Sequence, residues 1–338
     1  MNKKIVIILT VAFLCGTVSA GEFSKVGTAG AQFLKIGVGS RYTAMAEASV
    51  ACANDIYSMY WNPAGLANVY NNELAFSHVY YIADINLNYV AYARSFEDIG
   101  IFGVSATVLG MDDQEVTTTE PDEQNGTGEM YSVSSHAVQL TYARYLTTRF
   151  AFGGSFKYVS EKIYREKSDG FAFDFGTLLY TGLRSLRIGM SISNMGPEMR
   201  FDGPDLDVFY KPEDESENPN YDPFTSRLKV EPYDLPLTFR VGLAYDLAFG
   251  TGSNLLLAIE AKHPNDNEQQ GAIGAEYSWQ ERYFLRGGYK LNYEEESLTF
   301  GGGIRTDLSE TVDFIIDYAW VDFGRFHSVH RFSASISF

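Results

Sequence analysis

The chain has 338 residues, a formal net charge of −17 and two cysteines; aromatics make up 15%, with 23 Tyr, 24 Phe and 31 Gly. That charge argues against nucleic acid, whose phosphates require a basic surface. No stretch after the first residues approaches 18 consecutive apolar residues, which excludes later helical membrane spans and leaves a barrel as the route to a membrane role.

Residues 1–20 read as a secretory signal peptide. Lys3 and Lys4 precede the apolar run Ile5–Leu14, and Val18-Ser19-Ala20 supplies small residues for cleavage. Ten apolar residues fall short of the roughly 20 that a spanning helix needs. Cleavage would leave Cys52 as the only cysteine, so no internal disulfide forms in the exported chain.

Residues 21–72 differ in character from the remainder of the chain. Residues 40–53 are rich in alanine and other small residues and suit a closely packed helix. Next come Asn54-Asp55, the aromatic stretch Tyr57-Ser58-Met59-Tyr60-Trp61, and Asn62-Pro63-Ala64-Gly65, whose Asn-Pro and Gly mark a tight turn. Too small to make a core of its own, the segment is expected to sit inside a barrel as a plug.

From residue 73 to 338 the signal is period-two alternation, the signature of strands with unlike faces. In 150–158, Phe150, Phe152, Phe156 and Tyr158 share a face while Ala151, Gly153, Ser155 and Lys157 share the other. One face suits lipid and the other a polar lumen, although a soluble sheet shows alternation too. Fourteen such segments are predicted, near 73–82, 86–96, 100–110, 131–146, 149–164, 170–181, 186–195, 235–248, 253–263, 270–280, 283–293, 297–307, 311–323 and 327–338. The number is even, as bacterial single-chain barrels require, and the spacing leaves room for crossings of roughly 9–11 residues.

Loop parity is a sharper test, because periplasmic turns are short and only the exterior loops run long. The two longest connections, 111–130 and 196–234, follow the third and seventh predicted strands, and the turns after even strands are brief. Residues 111–130 carry seven acids and no base, and 196–234 carry eleven acids against four bases, so these loops hold 14 of the 17 net negative charges. Such loops either bind a partner or divalent cation or are simply solvated. Asp205, Asp207, Glu213, Asp214 and Glu215 lack the spacing of a known calcium loop, and no metal is expected.

Twelve charged side chains are predicted to face the lumen: Lys157, Asp174, Arg240, Asp246, Glu260, Lys262, Glu276, Arg286, Lys290, Arg305, Asp313 and Asp317. Their mixed signs suggest cross-strand ion pairs around the plug. His327 and His330, three apart on a predicted strand, point to opposite faces and do not share a metal. With five histidines and no Ser-His constellation, neither catalysis nor a cofactor is expected. The last segment alternates Phe332, Ala334, Ile336 and Phe338 with serines. It resembles the C-terminal signal read by the outer-membrane barrel assembly machinery, with Phe332, Ile336 and Phe338 as its apolar positions.

The small-residue stretch, Asn54-Asp55, and Trp61-Asn62-Pro63-Ala64-Gly65 together resemble the plug signature of the FadL outer-membrane transport superfamily. The fuller run from Phe33 through Gly65 is closer to its PorV/PorQ branch. The resemblance implies an all-β, 14-stranded antiparallel transmembrane barrel with a small N-terminal plug in the lumen, embedded in outer-membrane lipid of a Gram-negative-type bacterium. For PorV-like members it implies binding and delivery of secreted cargo proteins with type IX secretion subunits as partners. For FadL-type members it implies uptake of a hydrophobic small molecule, through an apolar pocket that Tyr57, Met59, Tyr60 and Trp61 either line or merely anchor.

Overall fold

The computed structural model describes residues 26–117, 126–210, 224–250 and 252–338. The predicted signal peptide and parts of both acidic loops lie outside these residues. Fourteen strands form one closed antiparallel barrel: β1 (Asn72–Tyr80), β2 (Asn86–Phe96), β3 (Gly100–Gly110), β4 (Val133–Thr147), β5 (Phe150–Ile163), β6 (Glu166–Tyr180), β7 (Arg187–Met195), β8 (Thr238–Phe249), β9 (Ser253–Pro264), β10 (Gln270–Trp279), β11 (Tyr283–Leu291), β12 (Leu298–Ser309), β13 (Val312–Asp322) and β14 (Ser328–Ser337). Each strand pairs with its sequence neighbours, and β1 closes the ring on β14 from Glu73 opposite Ser337 to Tyr80 opposite His330. Closure leaves no sheet edge, which a lipid environment demands.

Alternation sorts the side chains as the sequence predicts. Phe156 and Tyr158 are outward and exposed, while Ala151, Gly153, Ser155 and Lys157 are buried inward. The outward set continues around the wall through Phe171, Phe173, Phe239, Leu257, Ile259, Ile273, Phe300 and Ile316. An exterior this apolar is a lipid-facing surface. Ile259 sits mid-strand between Leu243 and Ile273 and is 46% exposed. Ile259→Arg should therefore destabilise the barrel in bilayers by about 2–4 kcal/mol, the cost of a cation near the midplane. Urea unfolding in liposomes measures this, and an unchanged midpoint would place that face away from lipid.

The loops obey the parity rule: the long connections follow β3 and β7, on the same end of the barrel, and the connections after even strands are short turns. Two boundaries shift. β6 begins at Glu166, ahead of the expected 170, and β8 begins at Thr238, so Leu235 lies before the strand, buried with Met199 under the β7–β8 connection. His327 belongs to the turn before β14, in left-handed backbone with φ 71°.

One wall feature had no sequence signal. Between β6 and β7 the register slips, with Phe175 opposite Ile192 but Phe173 opposite Met195. The one extra residue on β7 bulges the strand and turns Asn194 inward at φ 61°. Its backbone N–H donates to Asp174 Oδ1 at 2.8 Å, and its side-chain oxygen accepts from Lys157 Nζ at 2.8 Å. Lys157 also pairs with Asp174 at 2.7 Å, so the fully buried bulge carries compensated charge.

The lumen holds the core. Tyr42, Met45, Ile56, Met59, Trp61 and Leu66 are each under 2% exposed. All come from the segment ahead of β1, which enters beside the exterior loops, where Gly27 N donates to Asp266 O and Ala29 bridges Asp234, and leaves at the opposite end into β1. The alanine-rich stretch is not one helix. Only Ser40–Thr43 is α-helical, and residues 44–52 are turns with Ala46 and Glu47 in left-handed backbone. Small residues here allow close packing against the wall, and the wall's contacts replace helix hydrogen bonds.

Candidate functional site

The plug is fixed to the wall through its motif residues. Asn62 is extended, as a residue before proline must be, and its Oδ1 accepts from Ala64 N at 3.1 Å to start the 3-10 turn Pro63–Asn68. Its amide donates to Val50 O at 2.6 Å and to Thr177 O of β6 at 3.1 Å, so one buried side chain joins two parts of the plug to the barrel. Gly65 packs where a Cβ would lie 2.2 Å from Ala53 O. Pro63 and Ala64 are buried against β5 and β6.

Tyr57, Tyr60 and Trp61 anchor rather than line a free apolar pocket. Their polar atoms donate to Phe76 O (2.8 Å), Leu34 O (2.9 Å) and Val38 O (2.9 Å), respectively. Met59 is wholly buried. Asn54 and Asp55 serve another anchor: Arg41 donates to Asn54 Oδ1 at 2.8 Å and meets Asp55 at 3.3 Å. The same guanidinium grips Glu276 of β10 with two hydrogen bonds of 2.9 Å. Glu276 continues to Arg286 at 2.6 Å, and Arg286 to Asp317 at 2.5 Å.

The expected cross-strand pairs are present. Arg240 meets Glu260 at 3.0 Å, Arg305 meets Asp313, and Asp246 is held by Arg187 at 2.6 Å. Glu260 also accepts the backbone N–H groups of Ser49 and Val50, each at 2.8 Å. Arg187, Arg331 and Glu73 are buried inward as well and were missed by the sequence reading; Arg187 and Glu73 lie at strand ends, where a run of alternation is too short to read, whereas Arg331 shares the face of Ser333, Ser335 and Ser337 and was legible from that pattern.

Two cavities flank the plug, and no residue lines both. The one at the end where β1 starts has a volume of about 760 Å³ and is lined by charge, including Arg41, Asp55, Glu73, Glu276 and Arg305. The other, at the exterior-loop end, has about 480 Å³ and is two-sided. Phe33, Ile36, Tyr81, Ile85, Leu109 and Phe323 make an apolar half, in which Tyr81 and Phe323 stack edge-to-face with centroids 5.5 Å apart. Glu47, Lys262, Lys290, Glu296 and Arg331 make the polar half. Burial works against ionising Glu47, but Lys290 at 2.8 Å, with Lys262, Arg240 and Arg331 behind it, outweighs burial and holds its carboxyl down to about 2. Among the described residues no group of three or more His, Cys, Asp and Glu is placed to hold a metal.

Residues 11–170 match the model of the Uncharacterised protein family (UPF0164). No curated protein matches the sequence. Among solved structures the chain is similar to the toluene transporter TbuX of Ralstonia pickettii, with a TM-score of 0.55 and 13% identity over 89% of this chain and 97% of that one. It is similar to the CymD monoaromatic hydrocarbon channel, with a TM-score of 0.58 and 13% identity over 90% and 98% of the two chains. It is also similar to a FadL homologue of Pseudomonas aeruginosa, with a TM-score of 0.50 and 10% identity over 88% and 97%. The fold is that of a FadL-like barrel. With an apolar exterior, a closed even-stranded sheet and long loops on one end only, the protein is an outer-membrane barrel.

Phe332 and Phe338 face outward on and just after β14, each 46% exposed, and Ile336 shares that face. Phe338 pairs its backbone with Asn72.

Proposed function

We propose that the barrel takes up hydrophobic small molecules, which enter the exterior vestibule and move past or around the plug. The observation that carries this reading is the apolar half of the vestibule, Phe33, Ile36, Tyr81, Ile85, Leu109 and Phe323, standing open above a plug packed against the wall. A pore for hydrated solutes needs a continuous polar path. Here the polar cavity at the other end is separated from the vestibule, and an apolar molecule gains by leaving water for the vestibule wall. The fold likeness to structures described as a toluene transporter and a monoaromatic hydrocarbon channel agrees with this reading.

Proteoliposomes test it. Transfer of a hydrophobic fluorescent probe should be faster with the protein than without, and Leu109→Glu, which puts a charge into the apolar half, should return it toward the protein-free rate. Equal transfer with and without protein would overturn the proposal. Binding and delivery of secreted proteins, which the PorV/PorQ resemblance implies, has no counterpart of this kind among the described residues.

A further inference from the structure

Among the described residues, most of the vestibule's charges are held by an opposite charge or by a neutral hydrogen-bonding group, and two are not. Lys35 is taken by Asp266 at 3.0 Å, Lys290 by Glu47 and Glu296, and Arg331 donates to Gly37 O at 2.6 Å. Lys262, on β9, is only 6% exposed and lines the cavity, yet has no hydrogen bond or ion pair among the described residues; its ammonium lies 5.4 Å from the centroid of the Tyr293 ring. Of the acids, Glu295 is held by Arg325, and Glu161 accepts from Tyr233 and from Ala31 N. Glu294, on the exposed β11–β12 turn that rims the same cavity, has no such partner among the described residues.

A largely buried ammonium that has an aromatic face beside it but neither an anion nor a hydrogen-bond acceptor is favoured by a ligand that supplies one. A plain hydrocarbon does not complete it. An amphipath with only an acidic head satisfies Lys262 but brings its charge toward the carboxylates of the rim. A purely cationic head satisfies Glu294 and leaves Lys262 bare. We propose that the vestibule binds a zwitterionic single-chain phospholipid. Its phosphate meets Lys262, its ammonium turns to Glu294 at the rim, and its acyl chain lies along Ile36, Tyr81, Leu109 and Phe323. This rests on the uptake reading and narrows the substrate from hydrophobic molecules in general to one headgroup class.

The test is calorimetry on the full barrel in lipid nanodiscs, with empty nanodiscs subtracted. Four probes share one twelve-carbon chain: dodecylphosphocholine, dodecanoate, dodecyltrimethylammonium and dodecyl maltoside, each below its micelle-forming concentration. Dodecylphosphocholine should bind tightest, by about tenfold, the worth of one charge-assisted contact. Lys262→Met and Glu294→Gln should each remove about that factor for dodecylphosphocholine while leaving dodecyl maltoside unchanged. Retained heat-modifiable gel mobility identifies variants that still fold, and Lys262→Gln serves if Lys262→Met does not. Equal binding of all four probes, or tightest binding of dodecanoate, overturns the headgroup assignment and leaves the uptake reading standing. Failure of every probe to bind overturns both.

Discussion

Gly153→Val is expected to lift the plug off the wall. Gly153 faces the lumen on β5, and a Cβ there would lie 2.4 Å from the Pro63 carbonyl carbon, a backbone atom that no rotamer change moves aside. On the other side of the lumen, Gly274 of β10 stands in the same relation to Met45 O, also at 2.4 Å. The plug is thus clamped between two walls that touch its backbone because the wall residues have no side chain. Overpacking of this kind, in which backbone must shift, costs about 1–3 kcal/mol. Because the sheet is closed without the plug's help, strain falls on plug docking and spares strand pairing. The expected result for Gly153→Val or Gly274→Val is a barrel that still folds but conducts ions in planar bilayers more readily than the unaltered protein. Unaltered conductance together with an unaltered unfolding midpoint would contradict the clamp.

The second large effect concerns Arg41. Its guanidinium ties the plug residues Asn54 and Asp55 to Glu276, and through Glu276 to Arg286 and Asp317. The side chain of Arg41 is 19% exposed and that of Glu276 7%, so the pair is largely desolvated. Removing one member leaves its partner's charge buried with fewer contacts, at a cost of about 3–5 kcal/mol. Arg41→Met should therefore destabilise the folded barrel by that amount in urea unfolding. Adding Glu276→Gln should cost less than the sum of the two single changes, because the contact is already lost. Strict additivity would mean that the two groups do not act on one another.

The barrel was legible in the sequence because a strand buried on one face and facing lipid on the other writes its pattern residue by residue. Phe150 through Tyr158 is enough to assign both faces of β5, and the brief turns after even strands fix which end carries the long loops. The inward charges of the mid-strand positions, from Lys157 to Asp317, followed from the same parity. Features beyond the reach of parity were missed. Asn194 faces inward only because one extra residue slips the β6–β7 register, and a bulge breaks the count that predicts facing. Tyr81, Tyr293 and Phe323 build much of the vestibule from exterior turns, where alternation has no meaning. The stretch from Ala44 to Cys52 has helical composition, but contacts with Glu260, Thr299 and the wall glycines override that propensity, and no local pattern announces them. The plug motif located the segment and its turn at Asn62, while its grip on Thr177 needed the folded barrel.

The uptake reading meets its most direct test in the protein taken from native outer membranes with a detergent that carries no lipid headgroup. Organic extraction with mass spectrometry, and proteomics on the same eluate, would show which molecules travel with it. The account predicts a hydrophobic small molecule near one per barrel, lost in Leu109→Glu. Recovery of secreted proteins and translocation subunits with no bound small molecule would contradict it.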